Sequence, residues 1–249
     1  SGLLGPNTDV ALGVAGGGFA NSYSEIRQGH YRREESFLGH GGDFSASIYH
    51  RFNPDQVLPV WAILRGSAHQ SYFESDSATD DSFELPRDRT TFHVRTGLRL
   101  GGQEPSLTEP LALEFSLWHE SLFRNEAGAY GFAGDRAIES KSHLFWTRAL
   151  VKYTSGEWEQ SFEGSVTAGT SVQADRFSAY RLGGILPFVS EFPLNIPGYY
   201  FQELSAKGFV LASAQYSFPI APAKNWRLNT FAASGRVEYL DGLEQPGQW

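Results

Sequence analysis

Cysteine and methionine are both absent from the 249 residues, and only 19% of the chain is charged. Without cysteine there is no disulfide framework, no thiol nucleophile and no Cys-ligated metal, a composition that suits an exported bacterial protein. Without methionine, Ser1 is not an initiator and is expected to follow a processing site. A basic stripe is also missing. The net charge is −8, from 20 Lys and Arg against 28 Asp and Glu, which argues against nucleic-acid binding. No run of about 18 apolar residues occurs, so no transmembrane helix is expected. The mean hydropathy of −0.33 leaves a membrane β-barrel open, because lipid-facing apolar and lumen-facing polar residues average out along its strands.

What the chain does have is 27 glycines, 14% aromatic residues and period-two alternation nearly throughout. In Trp158 to Thr170, Trp158, Phe162, Val166 and Ala168 share one face, while Glu159, Ser161, Glu163, Ser165 and Thr167 share the other. Thr91 to Leu100 sets Phe92, Val94, Thr96, Leu98 and Leu100 against His93, Arg95 and Arg99. Leu111 to Glu120 sets Leu111, Leu113, Phe115 and Leu117 against Ala112, Glu114, Ser116, Trp118 and Glu120. Further strands are expected over Val10 to Asn21, Asp43 to Phe52, Leu58 to Phe73, His143 to Tyr153, Phe209 to Phe218 and Arg227 to Leu240. That makes about nine strands, each near or above the ~10 residues a tilted strand needs to cross a bilayer.

Long and short connections alternate between them. Ser22 to Gly42, Glu74 to Thr90, Ser121 to Ser142 and Ser171 to Gly208 are long; Asn53 to Val57, Gly101 to Pro110, Thr154 to Glu157 and Pro219 to Trp226 are short. Outer-membrane barrels keep this rhythm, with long loops outside the cell and tight turns in the periplasm. Phe52, Trp61, Trp146, Tyr153, Trp158, Tyr216, Phe218 and Trp226 gather near the short turns, where an aromatic girdle is expected.

The stretch Tyr180 to Leu204, YRLGGILPFVSEFPLNIPGYYFQEL, is too apolar for a surface loop and too rich in proline for a helix or central strand. Tyr180, Leu182, Gly183 and Gly184 form an aromatic-x-Leu-Gly-Gly pattern; Ile196, Pro197, Gly198 and Tyr199 form a hydrophobic-x-Gly-aromatic tip; Glu203, Leu204 and Leu211 to Pro219 close on an aromatic-Pro pair. From about Ser171 onward this resembles the C-terminal barrel of the Omp85 superfamily, the bacterial surface antigen family. The resemblance implies a loop folded into the lumen, with Gly183, Gly184, Gly198 and Tyr199 as its shaping and packing positions. It also implies a role in outer-membrane protein insertion, secretion or partner anchoring. Pro197 stands where the family places an arginine, so the chemistry attributed to that arginine does not carry over. A loop buried in a lumen needs polar walls for its backbone, and Arg95, Arg99, Glu114, Arg148, Lys152, Glu159 and Glu163 are the inward residues expected to supply them.

Other constellations read as ordinary structure. Trp118, His119, Glu120 and Ser121 stand at an outer strand end, and barrel hydrolases of the outer leaflet use His, Ser and an acid. Neighbouring strand residues point to opposite faces, however, so a strand end meeting a polar loop is the preferred reading. The seven histidines show no metal spacing. The acidic loop from Glu74 lacks the glycine and terminal glutamate of a calcium loop. Gly16, Gly17 and Gly18 are followed by no Lys-Ser or Lys-Thr, so they are no phosphate cradle.

The expected fold is therefore an all-β transmembrane antiparallel barrel in a bacterial outer membrane, occupying residues 1–249 as one domain with a long loop in its lumen. About nine strands are visible within a complete barrel of about 10 to 16, with one to three closing strands expected beyond Trp249, and no POTRA-like periplasmic module is visible. No enzymatic role, cofactor or metal is expected. The expected partners are outer-membrane lipid, lipopolysaccharide and a protein client, with no nucleic acid. The alternatives are a passive or substrate-specific channel gated by residues 180–204, and an outer-leaflet lipid hydrolase using His119.

Overall fold

A computed structural model of the chain describes residues 5–102, 110–156, 159–184, 194–200, 202–220 and 226–240. Its elements are β1 (Thr8–Arg27), β2 (His30–Arg51), β3 (Val60–Ser75), β4 (Phe83–Glu84), β5 (Arg89–Gly101), β6 (Leu111–Arg124) and β7 (Gly128–Phe132). They continue with β8 (Arg136–Ile138), β9 (Lys141–Thr154), β10 (Ser161–Val172), β11 (Tyr180–Leu182), β12 (Leu204–Pro219) and β13 (Arg227–Tyr239). The chain is all-β, with no helix among the described residues. The nine strands expected from alternation are the nine long ones.

These nine pair in chain order as an antiparallel meander, β1-β2-β3-β5-β6-β9-β10-β12-β13. The short β11 pairs with Leu204–Ala206 of β12, above the stretch of β12 that pairs with β10. A separate three-stranded sheet joins β4, β7 and β8. The outermost strands are β1 and β13, and no ladder joins them among the described residues.

Burial follows the period of two because successive side chains leave a strand on opposite faces. On β6, Ala112, Glu114, Ser116, Trp118, Glu120, Leu122 and Arg124 are buried, while Phe115, Leu117 and Phe123 are exposed. On β1, Val10, Leu12 and Val14 all face outward and exposed. The buried faces converge: one apolar cluster takes Ile63 from β3, Trp118 and Leu122 from β6, Leu144 and Trp146 from β9, and Phe209 and Leu211 from β12. Tyr49 of β2 and Val237 of β13 pack against the same cluster, so the sheet curls until strands far apart in the ladder share one interior.

Two expectations change. The supposed long loop Ser22 to Gly42 is strand on both sides, with Arg27 opposite His30 across a turn of Gln28 and Gly29. Both turn residues have positive φ, 51° and 76°, the conformation that matches the twist of a tight hairpin. The run of charged residues through Arg32 to Glu35 hid that strand. Second, Trp61 and Trp146 pack in the interior rather than in a girdle, because their positions fall on the inward phase of their strands. Phe52, Tyr153, Tyr216 and Trp226 do stand exposed at the short-turn end, and Trp158 lies outside the described residues.

Candidate functional site

The described parts of the connection between β10 and β12, residues 173–184, 194–200 and 202–203, pack into the interior of the curled sheet. Leu182 is 0% exposed, and Tyr180, Leu194 and Leu204 are buried with it against Trp118 and Trp146. Those two indoles lie directly opposite across β6 and β9 and stack at 5.9 Å. Tyr180 meets the ring of Phe209 edge-on at 4.8 Å, and its hydroxyl donates toward the carbonyls of Phe145 and Thr170 at 2.9 and 3.1 Å.

Gly183 and Gly184 tie the two halves of the connection. Gly183 N–H donates to Leu194 O at 3.1 Å, its carbonyl accepts from Ile196 N–H at 3.0 Å, and Gly184 N–H donates to Tyr200 O at 3.0 Å. Gly183 has φ +136°, and a Cβ there would lie 2.4 Å from Tyr200 O, so two independent constraints require glycine. Gly198 turns the chain at φ +92° in open space. Tyr199 is 38% exposed and lies near Tyr239 of β13, while Tyr180 is buried in the interior cluster. Most of the apolar run Ile185 to Asn195 lies outside the described residues.

The polar wall is built from residues on the inward phase. Arg148 meets Glu114 with Nη2 at 2.8 and 2.7 Å from the two carboxylate oxygens and Nε at 2.9 Å, and Glu114 is only 5% exposed. Arg95 reaches Glu120 at 3.0 Å and lies over the Trp146 ring at 5.2 Å, while His93 takes the other oxygen of Glu120 at 3.0 Å. Lys152 and Glu163 are opposite partners in the β9–β10 register. Arg99 shares the inward phase of Arg95, and its Nε has no hydrogen-bond partner among the described residues. Glu159 is not on a strand: it precedes β10 at φ 50°, and its carbonyl accepts from Arg227.

Above the apolar cluster, the connection is anchored by charge that the sequence reading did not single out. Asp175 receives Arg124 Nη1 at 2.7 Å and caps its own turn by accepting from Phe177 and Ser178 N–H, each at 2.9 Å. Its signal in the sequence was the Asp-x-x-Ser spacing of a capped turn. Glu25 holds Arg176 at 2.6 Å and Arg27 at 3.2 Å, while Glu35 takes both Arg27 and Arg136. Glu203 accepts Gly29 N–H at 2.9 Å and Tyr200 N–H at 3.0 Å, clamping the β1–β2 hairpin tip to the connection. Burial, with Arg176 beside it, pushes the Arg181 guanidinium down to about 9, against the pull of Glu25. Phe37, Phe83, Tyr130 and Ile138 form a second apolar cluster at this end, and Phe177 of the connection packs on it.

Between the two clusters lies a polar cavity of about 520 Å³, lined by Arg65, Arg89, Arg95, Arg124, His69 and His93, with Asp43 and Glu120 as its acids. Arg89 lies 4.0 Å over the Phe177 ring, and its Nη2 is buried with no hydrogen-bond partner among the described residues. No group of three or more potential metal ligands occurs among the described residues. Compared with known proteins, the chain matches no protein-family model and no curated protein.

Proposed function

We propose that this chain is the wall of a bacterial outer-membrane β-barrel of the surface-antigen type. Its lumen is stoppered by the described parts of the β10–β12 connection, residues 173–184 and 194–200, and it engages a protein client or partner while denying passage to free solutes. The observation that carries this reading is the split between the two faces of one sheet. Outward positions from Val10 to Leu228 carry exposed Val, Leu, Ile and Phe, as a lipid-facing surface requires, while inward positions carry paired charges and a packed connection. Membrane lipid and lipopolysaccharide are then the surroundings of the outer face, and the interior is a scaffold without chemistry of its own.

The cavity beside Arg89 favours a second reading, a substrate-specific channel for anions, in which the stopper moves aside. Reconstitution into planar bilayers separates the two. A stoppered barrel shows no steady conductance until a variant that displaces the connection, Leu182→Glu with Gly183→Val, opens it. Steady anion-selective conductance of the unaltered chain supports the channel instead, and a chain that is monodisperse without detergent sinks both.

A further inference from the structure

Three groups meet on the outer face of β6 and β9. His119 and Ser121 are two residues apart on β6 and therefore share the outward face, and the register puts His143 of β9 directly opposite Ser121. Ser121 Oγ lies 3.0 Å from His143 Nδ1 and 3.2 Å from His119 Nε2, and the two ring nitrogens are 3.4 Å apart. His119 is held flat between neighbours, stacked on Phe145 at 4.5 Å and on His143 at 5.6 Å. Ser121 is 8% exposed, and exposed Val94, Leu117, Phe123, Phe145 and Val172 neighbour the cluster, with exposed Thr96 opposite His119. Ionisable side chains on a largely apolar outward face are costly where that face meets lipid, and they point to a functional site. A serine hydroxyl within hydrogen-bond reach of an imidazole nitrogen has the base that activates a nucleophile, and here two imidazoles face the same hydroxyl.

We propose that Ser121, His143 and His119 form a hydrolase site for the fatty-acyl ester of a membrane lipid. This rests on the reading above that the outer face meets lipid. Ser121 lies three residues below the end of β6, ~10 Å along the strand. That places it toward the long-connection edge of the apolar band, where the ester linkages of an outer-leaflet lipid lie.

In the first half-reaction, His143 Nδ1 takes the Ser121 proton as Oγ adds to the ester carbonyl carbon. The bond from that carbon to the lipid alcohol breaks, and the imidazolium returns the proton to the departing oxygen. Water, deprotonated by the same ring, then adds to the acyl-serine. The bond from the acyl carbon to Oγ breaks, Oγ regains a proton, and a free fatty acid leaves. His119 Nε2, 3.2 Å from Oγ and 3.4 Å from the working nitrogen, is a second imidazole nitrogen facing the same hydroxyl and lies beside the proton's path. All three side chains are therefore assigned to the reacting centre.

The test uses the purified full chain with two kinds of probe. A fluorophosphonate and a short-chain p-nitrophenyl ester, both in detergent, report the site whatever the surroundings. Vesicles of phosphatidylethanolamine, with or without lipopolysaccharide, report the lipid and distinguish a glycerophospholipid source from a lipopolysaccharide source. The expected result is labelling at Ser121 and release of fatty acid in one vesicle arm. Release should fall about 10³-fold in Ser121→Ala and about 10²-fold or more in His143→Gln, with the band shift on heating that marks a folded barrel unchanged. A chain that inserts into vesicles yet shows neither labelling nor hydrolysis of either ester overturns the site. Labelling and p-nitrophenyl ester hydrolysis by a chain that never enters vesicles keeps the Ser-His-His centre and overturns the membrane reading instead.

Discussion

The two faces of this sheet solve the same problem in opposite ways. On the inner face, polar side chains are many and bonded to each other across strands, Glu114 with Arg148 and Glu120 with Arg95 and His93, or to the interior connection, Arg124 with Asp175. On the outer face of β6 and β9 exposed Phe115, Leu117, Phe123 and Phe145 prevail, and His119, Ser121 and His143 bond to one another. An interior bounded by protein can satisfy charge with charge, whereas a surface in oil tolerates a polar group only with partners at hand. Buried charge is therefore ordinary on one side of the wall and diagnostic on the other.

The most damaging change expected on the inner face is Arg148→Met, which leaves the buried Glu114 carboxylate without its bidentate partner. Breaking such a pair costs about 3–5 kcal/mol, while replacing both members by apolar residues is far milder. The urea midpoint of the folded form should drop sharply for Arg148→Met and recover most of the loss in Glu114→Leu/Arg148→Met. A double variant no better than the single would mean that the pair does not act as a unit.

Next in size is a charge placed on the wrong face. Leu117 is exposed at the middle of β6, and an arginine on a lipid face near the bilayer midplane costs about 2–4 kcal/mol. The same arginine at the inward Ser165 of β10, which faces Ser213 at 2.7 Å, should cost much less. Folding titrations into vesicles measure both. Equal effects would erase the distinction between the faces and with it the membrane reading.

The alternation that drives this distinction was readable in the sequence because a strand's period of two is local: Phe92 and Val94 against His93 and Arg95 needs nothing beyond four residues. Partners were not readable. Glu25 and Arg176 are 151 positions apart, and Arg124 and Asp175 are 51 apart; only the curl of the sheet brings them together. The outer trio shows the boundary. His119 and Ser121 could be placed on one face from their spacing alone, but His143 joins them through the β6–β9 register, which no pattern within one strand reveals. The hairpin at Gln28 was masked by the run of charged residues from Arg32 to Glu35, of which Glu35 pairs with Arg27 and Arg136.

A smaller effect is expected at the knot of the interior connection. Gly183→Ala places a Cβ 2.4 Å from Tyr200 O in a backbone at φ +136°, a strain of about 1–3 kcal/mol. Gly198→Ala meets no neighbour within 4 Å, though its φ of +92° still opposes it. Hydrogen exchange of the Ile196 and Gln202 amides, which bond to Gly183 and Gly184, should accelerate more in Gly183→Ala than in Gly198→Ala. The reverse order would mean that the tip, not the Gly-Gly pair, holds the stopper.

The smallest expected effect separates the two tyrosines of that connection. Tyr180→Phe removes a buried hydroxyl shared between the carbonyls of Phe145 and Thr170, about 1 kcal/mol, while Tyr199→Phe at an exposed position should be neutral within about 0.5 kcal/mol. Alkali offers a second reading of the same contrast. Burial pushes the Tyr180 phenol well above its ordinary value of 10.0, so above that pH the unfolded chain releases a proton that the folded chain still holds. The stability this group contributes is therefore fully present below pH 10 and declines as pH rises toward the folded value. Thermal melts between pH 9 and pH 11 should lose stability more steeply for the unaltered chain than for Tyr180→Phe, with Tyr199→Phe following the unaltered chain; parallel curves for all three would show that the interior phenol is solvated and the stopper open.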